Sequence, residues 1–286
     1  MKRLLITGAT GKIGSEVVAQ LSRSDCQVRA LTRTPESAAF PPPIEIVGGD
    51  LSQPASIEPA LCDVDAVFLV WTIPIDTAAT IVRQMAGHAR RIVFLSAPIY
   101  TDHPFFQQPN PIRHLHAGIE RLVQNSGVEW TILRPGPFAA NARTWWASQV
   151  RRGDVVQWPF PSSESAPIHE ADVAEIAVRA LLENGHNGAE YVLTGPQSLT
   201  QAEQVRILGE GIGRTLSFEE IPRAQARDVL LSEWPPHIAD MLLDAYQACI
   251  GVPAHLTDTF EQITGKAPRT FLEWARDHAA EFRPAR

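Results

Sequence analysis

The chain has 286 residues, 25 Lys and Arg against 32 Asp and Glu (net charge −7), and is 44% apolar and 20% charged. An acidic chain without a basic cluster argues against nucleic acid as a partner, and no apolar run approaches the roughly 18 residues of a membrane span. Cys26, Cys62 and Cys249 are odd in number and widely spaced, so reduced thiols and a cytoplasmic setting are expected.

The first half alternates short apolar runs with helical periods. Strands are expected at 4–6, 27–31, 44–47, 66–70, 92–95 and 130–133. The first run stops at Thr7-Gly8, too early for a secretory signal. The runs around 67 and 93 are almost wholly apolar, as in strands covered on both faces of a parallel sheet. Helices are expected at 12–24, 54–61, 76–88 and 111–126. In the last of these Ile112, Leu115, Ile119, Leu122 and Val123 recur at helical spacing, and Gly127 stands where a C-terminal glycine belongs. Such alternation implies an α/β fold with a doubly wound parallel sheet of Rossmann type.

After Pro135 the texture changes to a loop-rich stretch of prolines and aromatics running to 167. A helix is expected at 170–182, a further strand near 190–194 that completes the sheet, and mostly helical segments at 200–213, 222–251 and 257–281. The expected division is a nucleotide-binding domain over 1–155 and a smaller, mostly helical substrate lobe over 156–286.

The strongest local signal follows the first strand: Thr7-Gly8-Ala9-Thr10-Gly11-Lys12-Ile13-Gly14. Glycines at 8, 11 and 14 are a spacing variant of the dinucleotide fingerprint. Gly8 permits a tight turn, Gly11 lets backbone N–H groups approach a pyrophosphate, and Gly14 allows close helix packing. A strand–helix turn without ligand is the blander alternative. No carboxylate closes the second strand, where NAD would need one for its ribose; Arg33 stands there instead and suits a 2′-phosphate, with Lys12 a second cation. NADP(H) is therefore the expected cofactor and NAD(H) the alternative. Asp50 either accepts from the adenine amino group or caps the following helix. Val70, Trp71 and Thr72 end the fourth strand, on the edge where open α/β sheets bind ligands.

These residues together resemble the short-chain dehydrogenase/reductase superfamily and, more closely, its atypical NmrA-like branch. The likeness rests on the glycine loop, Asp50-Leu51, Ser96, Glu120, and the segment from Gly127 to Gly136 that includes Leu133-Arg134-Pro135, followed by Phe138 and Asn141. Ala171-Asp172-Val173-Ala174 and Thr270-Phe271-Leu272-Glu273-Trp274 also fit. The resemblance implies a Rossmann domain, a small C-terminal substrate lobe and NAD(P) contacts that include Thr10, Ile13, Leu51 and Pro135. It also implies either a reductase of quinones, carbonyls or other unsaturated acceptors, or a non-catalytic redox sensor.

The centre of the chain departs from the wider superfamily. Typical members use a Tyr-x-x-x-Lys pair to make a phenol acidic near neutral pH. Here the only lysines are Lys2, Lys12 and Lys266, and Pro104, Gly195 and Ile250 follow four residues after Tyr100, Tyr191 and Tyr246. Where lysine is common, four residues before Glu120, stands His116. His116 is the expected proton donor or ribose ligand because imidazole titrates near neutral pH; His114 and Tyr100 are alternatives, and Ser96 an oxyanion donor or a strand-end cap. Trp145, Trp158 and Phe138 either line an apolar substrate pocket or cement the two lobes, and Asn141 is placed to orient a substrate carbonyl. His114-x-His116 lacks a completing Cys or carboxylate, so no metal is expected. The expected partner is a small apolar molecule, and the protein a monomer or homodimer.

Overall fold

The computed structural model describes residues 1–108, 111–231 and 234–283. Its strands are β1 (Lys2–Ile6), β2 (Cys26–Thr32), β3 (Glu45–Gly48), β4 (Ala66–Val70), β5 (Arg91–Leu95), β6 (Glu129–Pro135), β7 (Val155–Trp158), β8 (Glu164–Ser165), β9 (Ala189–Leu193), β10 (Leu199–Thr200) and β11 (Ser217–Glu220). The helices are α1 (Lys12–Leu21), α2 (Pro54–Leu61), α3 (Ala78–His88), α4 (Pro104–Gln107), α5 (Pro111–Gln124), α6 (Asn141–Arg152), α7 (Glu170–Leu182), α8 (Gln201–Ile212), α9 (Arg223–Leu231), α10 (Pro236–Ala248), α11 (Thr259–Thr264) and α12 (Phe271–Asp277).

Seven strands form one sheet in the order β3-β2-β1-β4-β5-β6-β9. Every pair from β3 through to β6 is parallel. The strand order reverses between β1 and β4, which opens a crevice at their carboxyl ends. The central strands are solid apolar runs because both faces are covered: Leu4, Leu5, Ile6, Val67, Phe68, Leu69, Ile92, Val93 and Phe94 are fully buried. On one face Leu5, Val67, Leu69 and Phe94 share a core with Ile57, Ile81, Met85, Ile119 and Val123 from α2, α3 and α5.

Basic side chains at the opposite edge of the sheet close helix ends. Arg29 donates to the carbonyls of Ala60 and Cys62 at 2.6 and 3.1 Å, in the last turn of α2 and at its C-cap. Arg91 donates to Ala180 O at 2.9 Å and Glu183 O at 2.5 Å, and Lys2 to Leu182 O at 2.5 Å, at the end of α7. Cations there satisfy orphan carbonyls and oppose the negative end of each helix dipole.

The chain divides into two compact units: Met1–Ala97, Ile112–Pro135 and Glu170–Val192 form one, and Pro98–Pro111, Gly136–His169 and Leu193–Arg286 the other. It crosses between them several times, rather than once near residue 155. The expected single boundary fails because α7 packs on α1 and belongs with the sheet. Within the second unit the stretch expected to be loop-rich holds α6, whose Ala142, Trp145, Trp146 and Val150 face inward. The mostly helical segment expected at 222–251 holds α9 and α10, with Pro235-Pro236 at the start of the second; Ser232 and Glu233, inside that expected segment, lie outside the described residues. The helix expected over 257–281 ends its first part at Gly265, which adopts φ 70°.

Trp145 and Trp158 are 6% and 2% exposed and stack with ring centroids 5.4 Å apart, and Tyr246 meets Trp145 edge-on at 5.6 Å. They are core residues of the second unit. Trp158→Ala should therefore destabilise the protein by about 3–5 kcal/mol, seen as a lower denaturant midpoint, as expected for emptying a fully packed aromatic site.

Candidate functional site

The loop between β1 and α1 is shaped by what a side chain would hit. Gly8 has φ 59°, and a Cβ there would stand 3.0 Å from Val70 Cβ; a Cβ on Gly14 would stand 2.1 Å from Gly8 O. Only glycine lets α1 come this close to the loop. The turn closes with Gly11 N–H donating to Gly8 O at 2.9 Å. Thr7 joins β1 to β4 at the same edge: Val70 N–H donates to its Oγ1 at 2.8 Å, and its hydroxyl donates to Phe68 O at 3.2 Å. No side chain caps the start of α1, so orphan N–H groups and the positive dipole end face the loop, an arrangement suited to a phosphate.

A cleft of about 550 Å³ opens from this loop. It is lined by Thr7, Gly8, Thr10 and Gly11, by Leu31, Thr32, Arg33 and Thr34 at the end of β2, by Gly49, Asp50 and Leu51 after β3, and by Val70, Thr72 and Ile73 after β4. Of the expected cofactor contacts, Gly8, Thr10, Gly11, Arg33, Asp50, Leu51, Val70 and Thr72 are thus brought together. Lys12, Ile13 and Gly14 begin α1 behind the loop, with Ile13 and Gly14 buried, and Pro135 is buried at the end of β6.

Trp71 departs from expectation: it is 2% exposed in the core, its indole N–H donating to Ile73 O at 2.7 Å. Its bulk anchors the strand end whose neighbours line the cleft. Asp50 Oδ1 accepts from Ser52 N–H at 2.8 Å, a turn contact before α2, whose start at Gln53 has no side-chain cap, so the helix-capping alternative is not what the structure shows. That bond, a second from the Ser52 hydroxyl and the nearby Arg33 charge hold its carboxyl below the usual range. Leu31, Thr32, Thr34, Gly49 and Ile73 escaped the sequence reading because nothing in their type marks them; lying in the last residues of a strand or just past its end is their signal.

A second cluster lies on the same carboxyl edge, one strand further along. Ser96 follows β5, and its hydroxyl donates to Glu120 Oε1 at 2.5 Å. Glu120, 1% exposed on α5, accepts both arms of Arg134 from β6, Nε at 3.0 Å and Nη2 at 2.7 Å. Arg134 Nη1 continues to Glu190 of β9 at 2.6 Å. His116 Nδ1 lies 3.3 Å from Ser96 Oγ, and its ring stands 5.7 Å from that of Phe94. Burial pushes the imidazole down from its ordinary 6.5 to about 4. The expected neutral-range titration of His116 therefore fails, since a desolvated imidazole resists charge. Ser96 likewise has its proton committed to Glu120, which counts against an oxyanion donor.

The remaining expected residues belong to the second unit. Tyr100 sits on a turn with 56% of its surface exposed. Phe138 is half-buried and bridges to Ile168, and Asn141 opens α6 with its N–H donating to Phe138 O at 3.1 Å. Among the described residues no group of His, Cys, Asp and Glu is placed to hold a metal ion, and no helix is long and apolar enough to cross a membrane.

A glycine-hugged helix start at a β1/β4 switch point defines a dinucleotide-binding protein of Rossmann type. Residues 8–184 match the NAD(P)H-binding family, and the chain belongs to it, within the NmrA-like group of atypical short-chain dehydrogenases/reductases. It is 34% identical over 285 residues to the (4-alkanoyl-5-oxo-2,5-dihydrofuran-3-yl)methyl phosphate reductase of Streptomyces griseus, covering 98% of this chain and 99% of that one. It is 31% identical to the NAD(P)H azoreductase of Xenophilus azovorans over the same shares of the two chains. The fold matches that of Citrobacter sp. triphenylmethane reductase complexed with NADP(H), with TM-score 0.79 at 20% identity over 97% of this chain and 99% of that one.

Two outcomes follow from this geometry. Gly14→Ala, whose methyl has no room, should weaken dinucleotide binding at least about tenfold in a fluorescence titration. His116, neutral in the fold, contributes stability that is fully present above about pH 6.5 and is lost as pH falls toward 4, because the unfolded chain binds the proton first. Between about pH 7.5 and about pH 5 the wild type should lose about 2 kcal/mol more than His116→Gln, read from urea midpoints.

Proposed function

We propose that the protein is an NADPH-preferring reductase of a hydrophobic carbonyl, quinone or enone-type acceptor that works without a Tyr-x-x-x-Lys pair. The observation that carries this reading is the cleft itself, where the Gly14 backbone nearly touches Gly8 and Arg33 stands at its rim. The two relatives above, similar over almost their whole length, are both named as reductases, and the Streptomyces enzyme's substrate is a carbonyl-bearing dihydrofuran. A bound dihydronicotinamide would supply hydride to the acceptor.

The residues of the chain then have separable tasks. The N–H groups of the 8–14 loop hold the pyrophosphate, and the Arg33 guanidinium pairs with a 2′-phosphate. Arg33 is exposed in the cleft rim and the β2 end carries no carboxylate to receive a ribose 2′-hydroxyl. Holding the acceptor beside the cofactor accounts for much of the acceleration, since placement lowers such barriers by roughly 7–11 kcal/mol in favourable cases. The proton that follows hydride comes from water, because Ser96 donates into Glu120 and His116 is neutral at pH 7.

A non-catalytic redox sensor is the second reading, favoured by that same lack of a charged acid at the cluster. An NADPH-oxidation assay against quinones, aromatic ketones and enones separates the two. Turnover is expected on at least one class; tight NADPH binding with no oxidation on any of them would establish the sensor. Arg33→Ala should cut NADPH affinity roughly tenfold or more while leaving NADH nearly unchanged, and an unaltered affinity ratio would rule out the assigned preference.

A further inference from the structure

We propose that His116 is a fixed hydrogen-bond acceptor, its Nε2 lone pair presented to a hydroxyl of the bound cofactor or acceptor, and is not the acid of the reaction. The proposal rests on the reductase reading for its meaning, but its geometry stands on donor counting along a buried chain.

The chain begins at Arg134, a group with donors only. Its two arms reach both oxygens of Glu120, at 3.0 and 2.7 Å, so Glu120 is a carboxylate with nothing to donate. The Ser96 proton must then point at Glu120 Oε1, 2.5 Å away. With its proton spent, Ser96 Oγ can only accept from His116 Nδ1 at 3.3 Å, which places the imidazole proton on Nδ1. A neutral imidazole has one N–H, so Nε2 is left with a lone pair and has no hydrogen-bond partner among the described residues of its own unit. Phe94, with its ring 5.7 Å from the imidazole and tilted by 31°, limits rotation about the remaining bond.

Electrostatics agrees with the counting. Glu120 from α5, Arg134 from β6 and Glu190 from β9 are the charged groups of the cluster, and they are engaged with one another. Burial rather than a neighbouring charge keeps the ring uncharged. Direction of polarity is what changes: a lysine at this place would donate three hydrogen bonds and accept none, whereas His116 accepts. Ser96 and Glu120 are positioning residues in this scheme, because they act through the imidazole.

The test is nitrogen NMR on the full chain labelled at histidine, with and without NADPH. His116 should show the Nδ1–H tautomer and stay neutral from about pH 8 down to about pH 5. An Nε2–H tautomer, or titration near the ordinary value, would overturn the proposal. Ser96→Ala should give mixed tautomers and Ser96→Thr should restore the single one; a single Nδ1–H tautomer in Ser96→Ala, read on the folded protein, would also count against it.

His116→Phe separates the two sources of the hydroxyl. A fall of about tenfold in NADPH affinity identifies a cofactor hydroxyl; unchanged NADPH affinity with a fall of about tenfold in kcat/KM for a hydroxyl-bearing quinone, absent for the same quinone without its hydroxyl, identifies the acceptor. No change in either excludes the role. In the wild type kcat/KM should be level between about pH 5.5 and about pH 8, whereas a decline above about 6.5 that His116→Phe removes would reveal an imidazolium acid after all. Should no acceptor turn over, the reductase reading falls alone, since tautomer and NADPH affinity are read without turnover.

Discussion

The buried pair of Glu120 and Arg134 organises everything at the working end of the sheet. Withdrawing two charges from water costs several kcal/mol each, and only near-ideal geometry offsets it. Here the offset is a two-armed contact plus further bonds from Ser96 and to Glu190, which together join β5, α5, β6 and β9. Removing one partner of such a pair strands a charge, at about 3–5 kcal/mol. The pair therefore does two things at once: it sets how α5 lies on the sheet, and it dictates where every proton in the adjoining cluster must sit.

That arrangement gives the carboxyl edge two regions of opposite hydrogen-bonding character. Around the β1–α1 loop the backbone offers N–H donors with no competing side-chain cap, a surface for anions. One strand past β4, at the end of β5, the cluster offers a neutral acceptor backed by the Glu120–Arg134 ion pair. An extended molecule with phosphates at one end and hydroxyls toward the other fits this gradient, and a compact anion would use only half of it. The missing Tyr-x-x-x-Lys pair is consistent with the same design, since a lysine beside Ser96 would compete for Glu120 with Arg134.

Much of this was legible in the sequence, for reasons that differ by residue. Gly8, Gly11 and Gly14 declare themselves because glycine at a strand–helix junction has few other uses, and the apolar runs at β4 and β5 because two-sided burial erases alternation. Expected strands at 66–70 and 92–95 and the helix at 54–61 fall on observed elements within a residue or so. The helix α6 was hidden by its tryptophans and flanking prolines, which read as a loop. Trp71, Trp145 and Trp158 look identical in sequence whether they face a ligand or a core. The ionisation of His116 was out of reach altogether, because it depends on how far the fold takes this half-buried ring, beside Phe94 and Ser96, out of water.

The three lysines leave one more mark on the molecule. Lys2 is drawn in toward Leu182 O at the far edge of the sheet, while Lys12 is the first residue of α1, immediately behind the phosphate loop. Apart from Lys266, amine-directed reagents find no other lysine in this sequence. A dye or cross-linker that acylates amines would thus report on very few places, one of them at the threshold of the dinucleotide cleft. Scarcity of a residue type, usually noticed only as composition, makes this surface addressable by ordinary bioconjugation without engineering a single cysteine.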